Sequence, residues 1–253
     1  MKERKYKMND TVKLLLERKS VRVYTDEPVK KEDKALVLEA ALQAPTAGNM
    51  TLYTILDITD QKIKERLAVT CDNQPFIATA PMVLVFCADY RRWYESFLRH
   101  VDEVRKPSIG DLFLAQADTF IAAQSAVVAA ESMGLGTCYI GDITENFEEH
   151  REMLKLPKYV VPTCMICIGH PTEQQKERLK PVRFAAQDIV HENSYSIEKS
   201  DRMDDMLFER GSVQGEDVHN WIVSFCNRKW NCDFSKEMSR SCQAIVDSWC
   251  CED

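Results

Sequence analysis

The apolar positions of this chain fall into a few periods that predict its elements. After Asn9-Asp10-Thr11, whose side-chain oxygens suit a helix N-cap, Val12, Leu15 and Leu16 recur on one helical face. A second helix is expected over about 32–44, carried by Leu36, Val37, Ala40, Ala41 and Ala44 and stopped by Pro45. A strand is expected at 53–58, a short charged helix at 61–69, and a loop through Gln74-Pro75. Met82-Val83-Leu84-Val85-Phe86-Cys87 is apolar without alternation, which predicts a strand covered on both faces. The longest helix is expected over about 110–133. Leu112, Ala115, Phe120, Ile121, Gln124, Val127 and Val128 spread around its circumference, the pattern of a central buried helix, and Gly134 is a natural stop. Strands at 137–140 and 163–168 flank a helix at 145–154. A charged loop then runs to about residue 188, and two or three helices fill 202–249. No repeat and no Pro/Gly/Ser-rich linker divides the chain, so one domain over 1–253 is expected, with 1–9 as a tail.

Composition narrows the class. The chain has 253 residues, 45% of them hydrophobic and 29% charged, enough to bury a core and too apolar for wholesale disorder. A net charge of −7 argues against a nucleic-acid partner. No apolar run follows the basic start, so a secretion signal is not expected. The uncharged stretch 119–130 falls short of the roughly 20 residues of a membrane span. Ten cysteines, about 4% of the chain, are expected as reduced thiols. A cytoplasmic protein is the expectation. Charge is uneven, however: residues 1–34 hold 11 Lys/Arg against 7 Asp/Glu. A local basic segment on an acidic protein suits either a solvated helix face or a discrete anion such as phosphate.

Most candidate motifs fail on their context. Gly134-Leu135-Gly136 with Gly141 lacks the strand–glycines–helix order and the spacing of a dinucleotide loop. Cys164 and Cys167 are three apart on a strand, so they point to opposite faces and cannot grip one metal. Cys226, Cys232, Cys242, Cys250 and Cys251 lack paired zinc spacing, so no metal site is expected. Neither a nucleophile elbow nor a metalloprotease helix is present, and a chain without such groups can leave the chemistry to a cofactor. Arg18-Lys19-Ser20-Val21-Arg22 offers three cations and a hydroxyl after a helix, and guanidinium grips phosphate bidentately. Pro45-Thr46-Ala47-Gly48-Asn49 is a small polar loop whose glycine admits a flat ligand. Lys180-Pro181-Val182-Arg183 adds two more cations. Together these could surround a planar, phosphorylated cofactor.

Several strings in order resemble the nitroreductase family of FMN-dependent oxidoreductases, in the branch of oxygen-insensitive nitroreductases and NADPH–flavin oxidoreductases. They are residues 18–28, then Val85-Phe86-Cys87-Ala88-Asp89, residues 129–136, Tyr139-Ile140-Gly141, Gly169-His170-Pro171 and residues 190–195. The resemblance implies an α+β fold, a small and mainly antiparallel sheet surrounded by helices. It also implies a domain-swapped homodimer with two FMN sites at its interface and a C-terminal helical extension, about 200–253, contacting the partner. By position, Arg18, Lys19 and Ser20 would hold the FMN phosphate and ribityl chain, with Lys180 and Arg183 completing the clamp. Arg22 would sit by the N1–C2=O edge and steady charge developing there. Thr46, Gly48 and Asn49 would reach a flavin of the other subunit. Gln74 would bond the pyrimidine ring, and Tyr139, Ile140 and Gly141 would bring backbone to N5 and O4. NADH or NADPH would deliver hydride to N5, and nitroaromatics, quinones or free flavin would collect two electrons in a ping-pong cycle, with no obligatory protein acid or base.

Three departures stand out. Asp142 occupies a place where the family commonly has glycine, and its carboxylate could narrow the pocket or repel anionic substrates. Lys180 and Arg183 are one residue further apart than usual. Gly215-Glu216 replaces the basic residues that grip the NADPH 2′-phosphate in near relatives, so comparable or better use of NADH is expected. Two other classes fit parts of the sequence: a flavin-holding sensor or carrier with little turnover, and a thiol or metal regulatory protein using the C-terminal cysteines.

Overall fold

The structure is a computed structural model that describes residues 8–213 and 218–251. Two compact units divide it, residues up to 178 with those from 237 onward, and residues 179–236. In the first unit the elements run α1 (Asp10–Glu17), α2 (Lys31–Leu42), β1 (Tyr53–Asp57), α3 (Gln61–Thr70), α4 (Phe76–Thr79), β2 (Met82–Asp89), α5 (Arg91–His100), α6 (Ile109–Ser132), β3 (Gly136–Ile140), α7 (Phe147–Met153), β4 (Val160–Gly169) and α8 (Glu173–Glu177). The second unit holds α9 (Ala186–Ile189), α10 (Ile197–Ser200), α11 (Met203–Glu209) and α12 (Val218–Lys229), and α13 (Asp233–Cys250) follows.

The four strands form one antiparallel sheet in the order β1-β2-β4-β3. β2 is buried along its whole length. Its Leu84 and Phe86 pack towards α2 and α6, and its Val83, Val85 and Cys87 pack towards α3 and α4. Helices on both faces thus explain an apolar run without alternation. Cys164 and Cys167 of β4 likewise enter opposite layers, as their spacing predicts. Pro162 has no N–H to give its neighbour, and the β2–β4 register slips between Phe86 and Cys87. The Thr163 hydroxyl takes up the Ala88 N–H there at 3.3 Å.

α6 corrects two expectations. It is 24 residues long and, by length and composition alone, apolar enough to cross a membrane. Its apolarity instead serves two faces. Leu112, Ala115, Ala122, Ala126 and Val127 are buried within the unit, whereas Phe113, Phe120 and Ile121 are exposed. The helix is therefore not covered all round. The exposed side matches α1, where Val12, Leu15 and Leu16 also face outward and no residue is buried. The expected loop to residue 188 contains α8 and α9, and α5 was not expected at all. Its apolar residues Trp93, Tyr94, Phe97 and Leu98 stand among charged ones, and its anchoring is mixed: the Tyr94 ring meets Tyr159 edge-on, and Trp93 Nε1 donates to the Met50 carbonyl at 2.6 Å.

A third cluster joins Leu112, Phe147 and Tyr159 to Ile245 and Trp249 of α13. Trp249 Nε1 donates to the Ser108 carbonyl at 3.1 Å, which satisfies the indole at the core. In the second unit, Met206 and Leu207 are buried, the Arg202 guanidinium lies 3.8 Å from buried Asp188, and Arg210 sits over the Phe184 ring.

Two glycines shape the edge at β3. Gly134 ends α6 with φ +80°, and Leu135 N–H reaches back to Ala130 at 3.1 Å. Gly136 serves close approach, because a Cβ there would lie 2.7–2.8 Å from the Val21 side chain. That approach lets residues 20–21 run alongside β3, with Val21 N–H donating to the Thr137 carbonyl at 2.9 Å. Gly136→Ala is expected to lower the unfolding free energy by about 1–3 kcal/mol, as overpacking does. Val21→Ala in the same chain should recover part of that loss. Denaturant titrations of the single and double variants check this, and strictly additive losses would contradict it.

Candidate functional site

The outer edge of β3 gathers most of the residues singled out by sequence. α1 ends at Arg18, and the chain then runs extended past Thr137, so residues 18–22 line the edge strand. Arg18 turns inward. Its Nε lies 3.4 Å from Glu131 Oε1, and its Nη2 donates to Thr137 Oγ1 at 3.2 Å. Thr137 in turn donates to Glu131 at 2.5 Å, closing a triangle that neutralises this arginine.

Lys19 and Arg22 are placed differently. Lys19 Nζ donates to the Lys176 carbonyl at 2.6 Å and to the Arg178 carbonyl. Arg178 returns the contact through Nη2 to the Ser20 carbonyl. Buried Gln175 accepts the Arg22 N–H at 3.2 Å, while the Arg22 side chain is exposed. Lys176 pairs with Glu173 at 2.6 Å. Among the described residues, then, Lys19, Arg22 and Arg178 pair with no carboxylate, although all three stand on one stapled pair of segments. Arg178 and Gln175 were missed in the sequence, where Arg178 is one cation among several in a charged stretch without period.

The same strand carries Tyr139, Ile140 and then Gly141. Tyr139 and Gly141 line a cavity of about 450 Å³ with Phe120, Gln124, Thr163 and Cys164, and the Tyr139 hydroxyl donates to Gln124 at 3.2 Å. Nothing lies within 4 Å of a Cβ built on Gly141, so the approach to this backbone is open. Arg18 and Lys19 line a second cavity of about 510 Å³ with Val21, Gly136 and Gln175. Ser20 is half-buried, and its hydroxyl together with the Arg22 and Arg18 charges partly offsets the burial that raises the Cys138 thiol.

Gln74 reaches this strand from the other side. Asp72 and Asn73 adopt left-handed φ of 59° and 50° after α3, which turns the chain so that Gln74 Nε2 meets the Asp142 carboxylate at 2.8 Å. His150 holds the following turn: its ring spans the Ile143 carbonyl at 2.9 Å and Thr70 Oγ1 at 2.7 Å, and burial lowers its pKa.

Thr46, Gly48 and Asn49 precede β1, at the opposite edge of the sheet. The Thr46 hydroxyl is already committed, donating to Asp118 of α6 and accepting the Thr51 N–H at 2.8 Å. Gly48 and Asn49 are exposed with φ of 56° and 57°. Buried Asp118 also accepts from Ala47 N–H at 2.9 Å and Leu52 N–H at 3.3 Å. This staple too was missed, since an Asp within a helix pattern reads as solvated. Lys180 and Arg183 belong to the second unit, where Arg183 Nη1 donates to the Pro181 carbonyl at 3.4 Å. Gly215-Glu216 lies outside the described residues.

The profile of the family described as "Nitroreductase family" matches residues 15–170. A Bacillus subtilis protein named an NAD(P)H FMN reductase is 31% identical over 87% of this chain and 91% of its own length. A Salmonella typhimurium protein named oxygen-insensitive NADPH nitroreductase is 37% identical over 74% of this chain and 75% of its own. Among solved structures, the NADPH:FMN oxidoreductase of Vibrio harveyi, complexed with NAD+, superimposes with a TM-score of 0.70 at 29% identity, covering 87% of this chain and 98% of that one.

Asp118→Ala is expected to cost about 1–3 kcal/mol, because it strands buried N–H groups of the 46–52 loop. Amide exchange should quicken at Ala47 and Leu52 while β2 stays protected; unchanged protection at both would contradict the staple.

Proposed function

The chain belongs to the nitroreductase family, and from that premise we infer that it is an FMN-dependent oxidoreductase that uses NAD(P)H to reduce small acceptors such as nitroaromatics, quinones or free flavin. When bound, FMN supplies the two-electron chemistry, accepting hydride from reduced nicotinamide and yielding it to the second substrate. The residues present fit that group. One observation carries the reading: Lys19, Arg22 and Arg178 have no carboxylate partner among the described residues and are fixed beside an edge strand. A phosphate monoester supplies the charge they lack, and charge-assisted bonds to it are the strong kind.

The division of labour follows from these environments. Lys19 and Arg178 are the phosphate-facing pair, and Lys180 and Arg183 are further candidates for the clamp. Arg18, held by Glu131, positions the segment, and Ser20 offers its hydroxyl beside β3. Arg22, with its side chain exposed, is the cation available to a ring edge where negative charge grows. Gln74 offers a hydrogen bond to the pyrimidine, and Tyr139, Ile140 and Gly141 are the backbone candidates for N5 and O4, with the approach open at exposed Gly141. No side chain need move a proton, because water can supply it.

A homodimer belongs to the same reading. What supports it is topology: the Thr46–Asn49 loop and the cationic segment lie at opposite edges of one sheet, so one loop can serve a second copy's site. The outward apolar residues of α1 and α6 are suitable cover for such a contact. The C-terminal helices as a partner-contacting part of a single domain, a soluble cytoplasmic setting, and use of NADH comparable with NADPH complete the proposal.

Lys19→Ala and Arg178→Ala are each expected to raise the FMN Kd roughly tenfold or more, the worth of a charge-assisted hydrogen bond. The control Lys62→Ala, at an exposed position of α3, should leave it unchanged. Fluorescence titration of apoprotein measures all three, and an unaltered Kd in both site variants would remove the phosphate reading.

A further inference from the structure

The side-chain amide of Gln74 is fixed in a way the chemistry of its neighbours makes unambiguous. Nε2 donates both of its hydrogens, to the Cys71 carbonyl at 2.9 Å and to Asp142 Oδ2 at 2.8 Å. A backbone carbonyl and a carboxylate only accept, so turning the amide over would set oxygen against oxygen twice. Oε1 has no partner among the described residues and is left to face outward. We propose that Asp142 is a positioning residue that holds the Gln74 amide with its nitrogen inward, so that Gln74 presents a bound flavin with a hydrogen-bond acceptor and no donor. The flavin pyrimidine carries one ring N–H between two carbonyls, and an acceptor-only Gln74 selects the N–H. This rests on the reading that Gln74 faces the flavin.

The surroundings keep that arrangement in place. Asp142 begins the short turn after β3, and the His150 ring ties the next residue, Ile143, to Thr70 at the end of α3. The loop bearing Gln74 and the turn bearing Asp142 are thereby pinned to each other independently of the amide. Glu145, buried and with Oε1 unpartnered, sits behind Asp142. Burial and the neighbouring carboxylates of Asp142, Asp72 and Glu237 push the Glu145 carboxyl up to about 8. A glycine in place of Asp142 would leave the Gln74 amide one partner and freedom to rotate.

FMN Kd and the visible spectrum of bound FMN, measured for the wild type, Gln74→Ala, Asp142→Gly, Asp142→Asn and the Gln74→Ala/Asp142→Gly pair, test this. Asp142→Gly should weaken FMN about fivefold, one hydrogen bond's worth, and shift the flavin band. Asp142→Asn, whose amide oxygen still accepts from Nε2, should restore most of both. In the Gln74→Ala background, Asp142→Gly should change Kd less than about twofold. If Asp142→Gly leaves Kd unchanged or tightens it, or weakens FMN by the same factor with and without Gln74, the positioning role is wrong while the placement of Gln74 stands. If Gln74→Ala alone alters neither Kd nor spectrum, Gln74 does not face the flavin, and the positioning role falls with it.

Discussion

Charge left uncompensated on a rigid frame is the constraint on which the rest of this structure turns. Lys19, Arg22 and Arg178 are bound to carbonyls or left in solvent, and none of them meets a carboxylate among the described residues. Carbonyl bonds satisfy their hydrogens without neutralising their charge. A bound anion would supply the opposite charge that these residues lack. By contrast, Arg18 and Lys176, on the same two segments, each have an acidic partner. The segments therefore hold their shape through one set of cations and offer the other.

The frame exists because an edge strand is available to hold it. β2 and β4 occupy the middle of the sheet and are buried on both faces, which leaves β3 with an outer edge free to bind residues 20–21. Gly136 permits the approach, and Thr137 joins the backbone contact to the Arg18–Glu131 pair. At the far end of the same strand, Gly141 opens the backbone, and Asp142 reaches across to Gln74. A single edge strand thus organises the cations, an accessible backbone and a directed amide. The Thr46–Asn49 loop, at the opposite edge, is shaped by a separate device, the buried Asp118 carboxylate.

Local signals were legible in the sequence and long-range ones were not. The unbroken apolar run of β2, the N-cap at Asn9 and the stop at Gly134 each follow from neighbours in the chain, and each is found where expected. The basic segment around Ser20 was legible as chemistry too. Its internal roles were not, because nothing local distinguishes Arg18, which has Glu131 across the fold, from Lys19, which has only carbonyls. Gly136 reads as part of a helix stop, since the Val21 side chain that requires it is far away in sequence. Arg178, Asp118 and the amide direction of Gln74 depend likewise on partners that no period or spacing announces. α6 was misjudged for a different reason: an apolar circumference does not say whether the second face is covered by the same chain.

The most direct measurement compares apoprotein titrated with FMN and with riboflavin, which share the ring system and differ by the phosphate. A phosphate-anchored site predicts FMN binding roughly a hundredfold tighter than riboflavin, the worth of two charge-assisted hydrogen bonds, with the gap narrowing as salt is raised. Equal affinity for the two, at low and high salt alike, would contradict a site built on the cations around Ser20.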